Sequence, residues 1–239
     1  MAELDEQKII QSWRVNAGSW TSAVREERIE SRKLVTNEAI IDTIRRYHPA
    51  TLLDVGCGEG WLARKLAEQG AQVAGIDVVP ALIESARQLG GGDFQVCSYE
   101  ELAAGRLRRQ FDAIVCNFSL LGNESVANLF RAMPSLLHDG GHLFVQTLHP
   151  NISGGEAPYT DGWRVGSWAG FGPEFSDPAP WYFRTVASWV KLFCDNVLML
   201  VELLEPLHPE TRKPASIVFI GAKPGGLNSS QKFSYMNPA

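Results

Sequence analysis

The chain has 239 residues, with 22 Lys and Arg against 27 Asp and Glu, a formal net charge of −5. That length suits one large α/β domain with a sizeable core, and an acidic balance without a basic stripe argues against nucleic acid as a partner. The polar, acidic start does not read as a secretory leader and no apolar run is long enough to span a bilayer, so a soluble cytoplasmic protein, monomer or homodimer, is expected.

In chain order, Leu4 to about Ile29 reads as a helix carrying Trp13 and Trp20, with Asn16, Gly18 and Ser19 interrupting its pattern. Thr36 is placed to cap a second helix, Asn37 to Tyr47, stopped by His48-Pro49. Thr51 to Val55 is a short apolar run of the kind found in parallel strands buried on both faces. Gly56, Gly58 and Gly60 follow in G-x-G-x-G spacing, and glycine lets a ligand approach the backbone because it has no Cβ. Trp61 to Gln69 resumes with helical spacing and stops at Gly70; Gln72 to Ile76 is a second strand ending at Asp77-Val78. Strand, glycine turn, helix, strand and acid form a nucleoside-binding arrangement, and an acid at that place accepts hydrogen bonds from ribose hydroxyls.

The glycine spacing argues against a dinucleotide oxidoreductase. The G-x-G-x-x-G/A fingerprint needs a small residue at 61, where Trp61 stands. Asp54 and Glu59 flank the turn with negative charge, which suits an ammonium group better than a pyrophosphate. Leu52-Leu53-Asp54-Val55-Gly56-Cys57-Gly58-Glu59-Gly60, followed by Asp77, resembles the first motif and acidic loop of the S-adenosylmethionine-dependent methyltransferases with a Rossmann-like core. Within that family the ubiquinone-biosynthesis type is the most similar, and the resemblance runs in order from about 36 to 148.

The resemblance implies a doubly wound α/β fold with a seven-stranded mixed sheet whose last strand is antiparallel. It also implies S-adenosylmethionine as cofactor. Asp54 and the Gly56-Cys57-Gly58-Gly60 turn would face the methionine part, Asp77 and Val78 the ribose. Arg32 looks like the arginine that approaches the cofactor carboxylate in relatives. After a helix over 81–89 and a strand over 93–97, Ser98 stands where the family carries an acid for the adenine, followed by Tyr99 and Glu100. Phe111-Asp112-Ala113-Ile114-Val115-Cys116-Asn117 resembles the fourth strand, putting Asn117 and Phe118 between cofactor and acceptor. Ser125 to Leu137 is a helix, and Asp139-Gly140-Gly141 turns into a fifth strand, His142 to Thr147.

The segment 149–183 departs from this regular pattern. It is rich in Gly and Pro and holds Tyr159, Trp163, Trp168 and Trp181 among other aromatics, too many for disorder. We read it as a cap insertion over the acceptor pocket, with Trp20, Tyr159, Trp163, Trp168 and Trp181 as candidate acceptor contacts. A helix over 185–194 and strands over 198–205 and 216–222 follow, and the polar tail after 225 reads as mobile. The whole chain, 1–239, reads as a single domain: helices over 1–48, a cofactor core over 49–148, the cap, and a C-terminal helix and strands.

Transfer of a methyl group to a hydroxyl needs a proton acceptor. His149, just past the fifth strand, is the best-placed general base by sequence. The other four histidines and the cysteines at 57, 97, 116 and 194 show no metal-ligand or C-x-x-C spacing, so neither a metal nor a disulfide is expected. The expected function is methyl transfer to an oxygen, nitrogen or carbon of a small molecule. The alternative is a non-catalytic S-adenosylmethionine-binding regulator or partner subunit, which would keep the glycine turn without an acceptor pocket.

Overall fold

A computed structural model describes residues 4–225; the tail read as mobile lies outside them. One seven-stranded sheet runs through the molecule in the order β3-β2-β1-β4-β5-β9-β8. Its strands are β1 (Thr51–Val55), β2 (Gln72–Asp77), β3 (Asp93–Val96), β4 (Phe111–Asn117), β5 (Leu137–Thr147), β8 (Met199–Leu204) and β9 (Ile217–Ala222). β1 to β5 are parallel, and β9 inserts antiparallel between β5 and β8.

The strand pattern has a period of two, and each buried strand feeds two cores. Leu53, Ile114, Val145 and Phe219 face Leu129, Phe130, Met133, Trp189 and Phe193 of α6 (Glu124–Leu136) and α8 (Val186–Asp195). Leu52, Val115, Phe144 and Val218 face Ile40, Ile44, Leu62, Leu66 and Ile83 of α2 (Asn37–Arg45), α3 (Trp61–Ala67) and α4 (Pro80–Leu89). The strand order reverses at β1, whose neighbours are β2 and β4. Ligands bind beyond the C-terminal strand ends at such a switch point.

Three local readings change. Thr36 does not cap α2: it lies in helical conformation inside a π-helical turn, Arg32–Thr36, that runs directly into that helix. β5 begins at Leu137, and Asp139-Gly140-Gly141 is an irregularity within it: the register to β4 jumps from Phe111↔Leu137 to Ala113↔His142. The cap contains regular structure as well, since β6 (Gly162–Arg164) and β7 (Trp181–Phe183) pair antiparallel in a small ribbon. It also includes a short helix, α7 (Pro150–Ser153).

α1 (Glu6–Arg25) is an unbroken helix, capped by Asp5, whose side chain accepts from Lys8 N. The polar residues that interrupt its amphipathic pattern hold the cap. Ser12 Oγ donates to Asp177 O, and Ser19 Oγ donates to Glu174 O at 3.1 Å. Asn16 donates from Nδ2 to Ser176 O (2.7 Å) and accepts at Oδ1 from Ser176 N (3.0 Å). Positions 12, 16 and 19 share a face because they are four and three residues apart. Asn16 is fully buried and both ends of its amide are satisfied, as a buried amide requires.

Candidate active site

A cavity of about 490 Å³ opens at the switch point, within the roughly 300–1,000 Å³ range of small-molecule sites. Its floor is the turn after β1. Gly56 and Gly58 have φ of +76° and +56°, which an L side chain rarely adopts, and a Cβ on Gly56 would lie 2.4 Å from Ser119 Cβ. Asp77 ends β2 beneath the turn. Its Oδ2 accepts from Gly58 N at 3.0 Å and its Oδ1 from Val79 N at 2.9 Å, so the carboxylate is held rigidly with lone pairs left over. Enclosure pushes its carboxyl up to about 6, opposed by those backbone donors.

Arg32 forms one wall. Its guanidinium stacks 4.6 Å from the Trp61 ring centroid and 5.4 Å from Trp20, within cation–π range. Nε donates to Asn37 Oδ1 at 3.1 Å, whereas Nη2 is buried without a partner. Burial lowers the guanidinium to about 10, with the Glu59 charge partly offsetting it, so it stays cationic at neutral pH. A buried N–H of a charged group without an acceptor is costly, and an anionic ligand group would relieve it.

On the far side, β4 ends at Asn117, whose Oδ1 is buried and unpartnered. Phe118 then takes φ of +54°, uncommon for a bulky residue, while its N–H still bonds Gln146 O at 2.8 Å. Tyr99 Oη donates to Ser119 O (2.9 Å), and Ser119 Oγ donates to Val55 O (2.7 Å), which ties α5 (Tyr99–Ala103) and the β4 loop to β1. The mouth is aromatic. Trp13 packs edge-on against Trp20 (5.0 Å) and Trp168 (5.8 Å), and Trp168 against Phe171 (5.2 Å) and Phe175 (4.9 Å).

Of the residues expected to bind cofactor, Arg32, Gly56, Cys57, Gly58, Asp77, Val78, Ser98, Tyr99, Glu100, Asn117 and Phe118 all line this cavity. Asp54 and Gly60 do not. Asp54 is 2% exposed with its Oδ2 unpartnered, and burial, with the Asp77 charge adding to it, pushes its carboxyl up to about 8, which favours the protonated form. Gly60 turns left-handed, with φ of +83°, to start α3 against Phe94 and Ala86. Glu59 is not free for an ammonium group either. Arg64 Nη2 donates to both its oxygens at 2.8 Å and Arg25 of α1 reaches it at 3.2 Å, so this buried acid fastens α1 to the glycine turn. Ser98 closes α5 in a capping box: its Oγ accepts from Glu101 N while Glu101 Oε2 accepts from Ser98 N.

The acceptor residues divide differently. Trp20 and Trp168 line the cavity, but Tyr159, Trp163 and Trp181 do not. Tyr159 packs on Phe183 and accepts from Val186 N, and Trp163 stacks on Tyr182. Trp181 packs on Phe183. These three aromatics build the cap and its ribbon and do not reach the ligand space. His149 is also absent from the lining. It is buried, and its Nε2 shares a 2.7 Å hydrogen bond with Glu205 just after β8. Trp13, Trp61, Phe171 and Glu6 line the cavity without having been expected there. Trp13 was within reach of the sequence, because 13 and 20 are seven residues apart on one helix face.

A model of the family described as "Methyltransferase domain" matches residues 29–190, well over half of the chain. The chain belongs to this methyltransferase-domain family. Among curated proteins it is 43% identical over 105 residues to the ubiquinone biosynthesis O-methyltransferase of Xanthomonas axonopodis pv. citri. That match covers 42% of this chain and 44% of the relative, so the similarity spans under half of the relative's length. Two solved structures share the fold at low identity. An S-adenosylmethionine-dependent methyltransferase from Mesorhizobium loti aligns with TM-score 0.58 at 21% identity, over 76% of this chain and 96% of its own. The Burkholderia thailandensis 1,6-didemethyltoxoflavin-N1-methyltransferase, solved with its substrate and S-adenosylhomocysteine, aligns with TM-score 0.61 at 16% identity, over 94% and 93%. The methyltransferase fold read from the glycine turn is thus the fold of this chain.

Proposed function

We propose that this protein transfers a methyl group from S-adenosylmethionine to a small-molecule acceptor, with an oxygen acceptor favoured by its similarity to ubiquinone biosynthesis O-methyltransferases. One observation carries the reading: the unpartnered Arg32 Nη2 and the half-satisfied Asp77 carboxylate border a single cavity floored by side-chain-free glycines. An amino acid joined to a nucleoside, without phosphate, supplies what these groups lack. Arg32 would hold the carboxylate, Asp77 the ribose hydroxyls and Gly56-Cys57-Gly58 the intervening chain. Val78, Ser98, Tyr99 and Glu100 would bound the base, with Asn117 and Phe118 beside the transfer point.

When bound, the sulfonium supplies an activated methyl group, so the chain's own task is alignment and exclusion of water. α1 and the cap perform the exclusion, because they cover the cavity mouth and are joined by the Ser12, Asn16 and Ser19 hydrogen bonds. The Arg25–Glu59–Arg64 cluster keeps α1 seated on the glycine turn. No histidine or lysine lines the cavity among the described residues, so the reading does not place the general base on His149. A non-catalytic binder would have no use for the apolar side chains, Ile9, Ile10, Leu121 and Leu148 among them, that line the cavity besides the donor groups, and they favour the enzyme.

The test is incubation with methyl-labelled S-adenosylmethionine and a panel of phenols, catechols and aromatic amines. Label recovered in an acceptor supports the reading. Tight S-adenosylhomocysteine binding with no labelled product across broad panels would favour the regulator.

A further inference from the structure

The acceptor end of the cavity lies on the β4–β5 side of the switch point, away from the β1–β3 ends that carry the glycine turn and Asp77. Leu121 and Leu148 lie past the ends of β4 and β5 there, and Ile9, Ile10 and Trp13 of α1 and Phe171 of the cap line the same cavity. Four charged side chains line the whole cavity among the described residues: Glu6, Arg32, Asp77 and Glu100. The last three stand on the donor side, so Glu6, in the first turn of α1, is the one charged side chain lining the acceptor end, with the Arg184 guanidinium behind the loop close enough to feel its charge.

The carboxylate of Glu6 is held in place. Its Oε1 accepts from Asn123 N (2.6 Å) and Ser125 N (3.1 Å) at the start of α6. It takes over a task that Asn123 leaves undone, since the Asn123 side chain makes no cap bond. Behind the same loop, Arg184 donates to Gly122 O (2.8 Å) and Asn123 O (2.9 Å), and Tyr182 N to Leu121 O (2.8 Å). The loop is therefore fixed from both sides. Both backbone donors fall on Oε1, and among the described residues Oε2 has no hydrogen-bond partner.

We propose that Glu6 is the specificity-determining residue for the acceptor. Its free oxygen accepts a hydrogen bond from a hydroxyl or amino group on a small, flat, apolar molecule that is neutral or cationic, and its charge rejects carboxylates and phosphates. This rests on the methyltransferase reading, because the acceptor end is defined by where the donor binds. The aromatic walls take up the ring, and an anion placed beside a fixed carboxylate in an apolar chamber would be desolvated without compensation.

The test uses protein saturated with S-adenosylhomocysteine and three probes with one ring: para-cresol, para-toluidine and para-toluate. Equilibrium dialysis gives each affinity for the wild type and Glu6→Gln. The glutamine keeps the oxygen that accepts from α6 but removes the charge. Cresol and toluidine should bind at least about tenfold more tightly than toluate in the wild type, and Glu6→Gln should cut that preference to about threefold or less. Its S-adenosylhomocysteine affinity should stay unchanged. A residue that only caps α6 would leave the preference unaltered in the glutamine variant, which overturns the proposal. Tighter toluate binding, or no retention of any of the three, overturns it too. Failure of S-adenosylhomocysteine itself to bind would instead overturn the methyltransferase reading.

Discussion

The two ends of the cavity are built in different ways. The donor end is made of backbone and short polar groups that lie close together in sequence: Gly58 N and Val79 N donate to Asp77 and Gly56 N to Ile76 O, across one strand–turn–helix–strand unit. The acceptor end is made of side chains far apart in sequence: Asn16 with Ser176, Ser12 with Asp177 and Glu6 with Asn123. A local motif specifies the first almost completely. The second exists only once α1 and the cap have closed on each other, so changes there should alter acceptor use and local order while leaving donor affinity nearly intact.

The largest effect is expected at the donor end. Asp77→Ala should weaken S-adenosylhomocysteine binding about 10- to 100-fold in calorimetry, since hydrogen bonds to a charged group contribute roughly 1.5–3 kcal/mol. Arg32→Leu should cost about tenfold in the same titration, through the lost carboxylate partner. Across the cavity, Asn16→Ala leaves the Ser176 N–H and C=O without their partner. It should destabilise the closed cap by about 1–3 kcal/mol, read as faster proteolysis within 166–178, with a smaller change in donor affinity. A donor affinity that falls as far in Asn16→Ala as in Asp77→Ala would break the distinction between the two ends.

Asp54 gives a pH test. Its carboxyl titrates near 8 when folded and near the usual carboxylate value of about 4 when unfolded, so between those values the folded state holds the extra proton. Stability should therefore fall as pH rises from about 4 to about 8 and level off above. Asp54→Asn should flatten that slope in thermal melts. The smallest effect is expected from His149→Ala, where labelled methyl transfer should persist, because the ring lies outside the cavity against Glu205.

This division also explains what could be read from the residues. The strands and the donor wall follow from apolar runs, the glycine spacing and Asp77, all of them local signals, whereas the antiparallel last strand is implied by the family resemblance. Glu59 misled because its charge was visible in sequence but its partners, Arg25 and Arg64, were not, and a paired acid does not serve a ligand. Asp54 misled for the same reason, since only its burial in the fold shows that its charged form is disfavoured. The cap aromatics were visible as a set, yet which of them reach the ligand depends on the β6–β7 ribbon that turns Trp163 and Trp181 onto Tyr182 and Phe183. Asn16 and Ser19 read as flaws in a helix because their partners, Ser176 and Glu174 in the irregular part of the cap, lie far away in sequence.

Calorimetric titration of the wild-type protein with S-adenosylhomocysteine, with NADH as the comparison, tests the central claim most directly. The account predicts saturable binding of S-adenosylhomocysteine with one site per chain, weakened by Asp77→Ala, and no binding of NADH. Binding of NADH in place of S-adenosylhomocysteine, or S-adenosylhomocysteine binding that Asp77→Ala leaves unchanged, would contradict it.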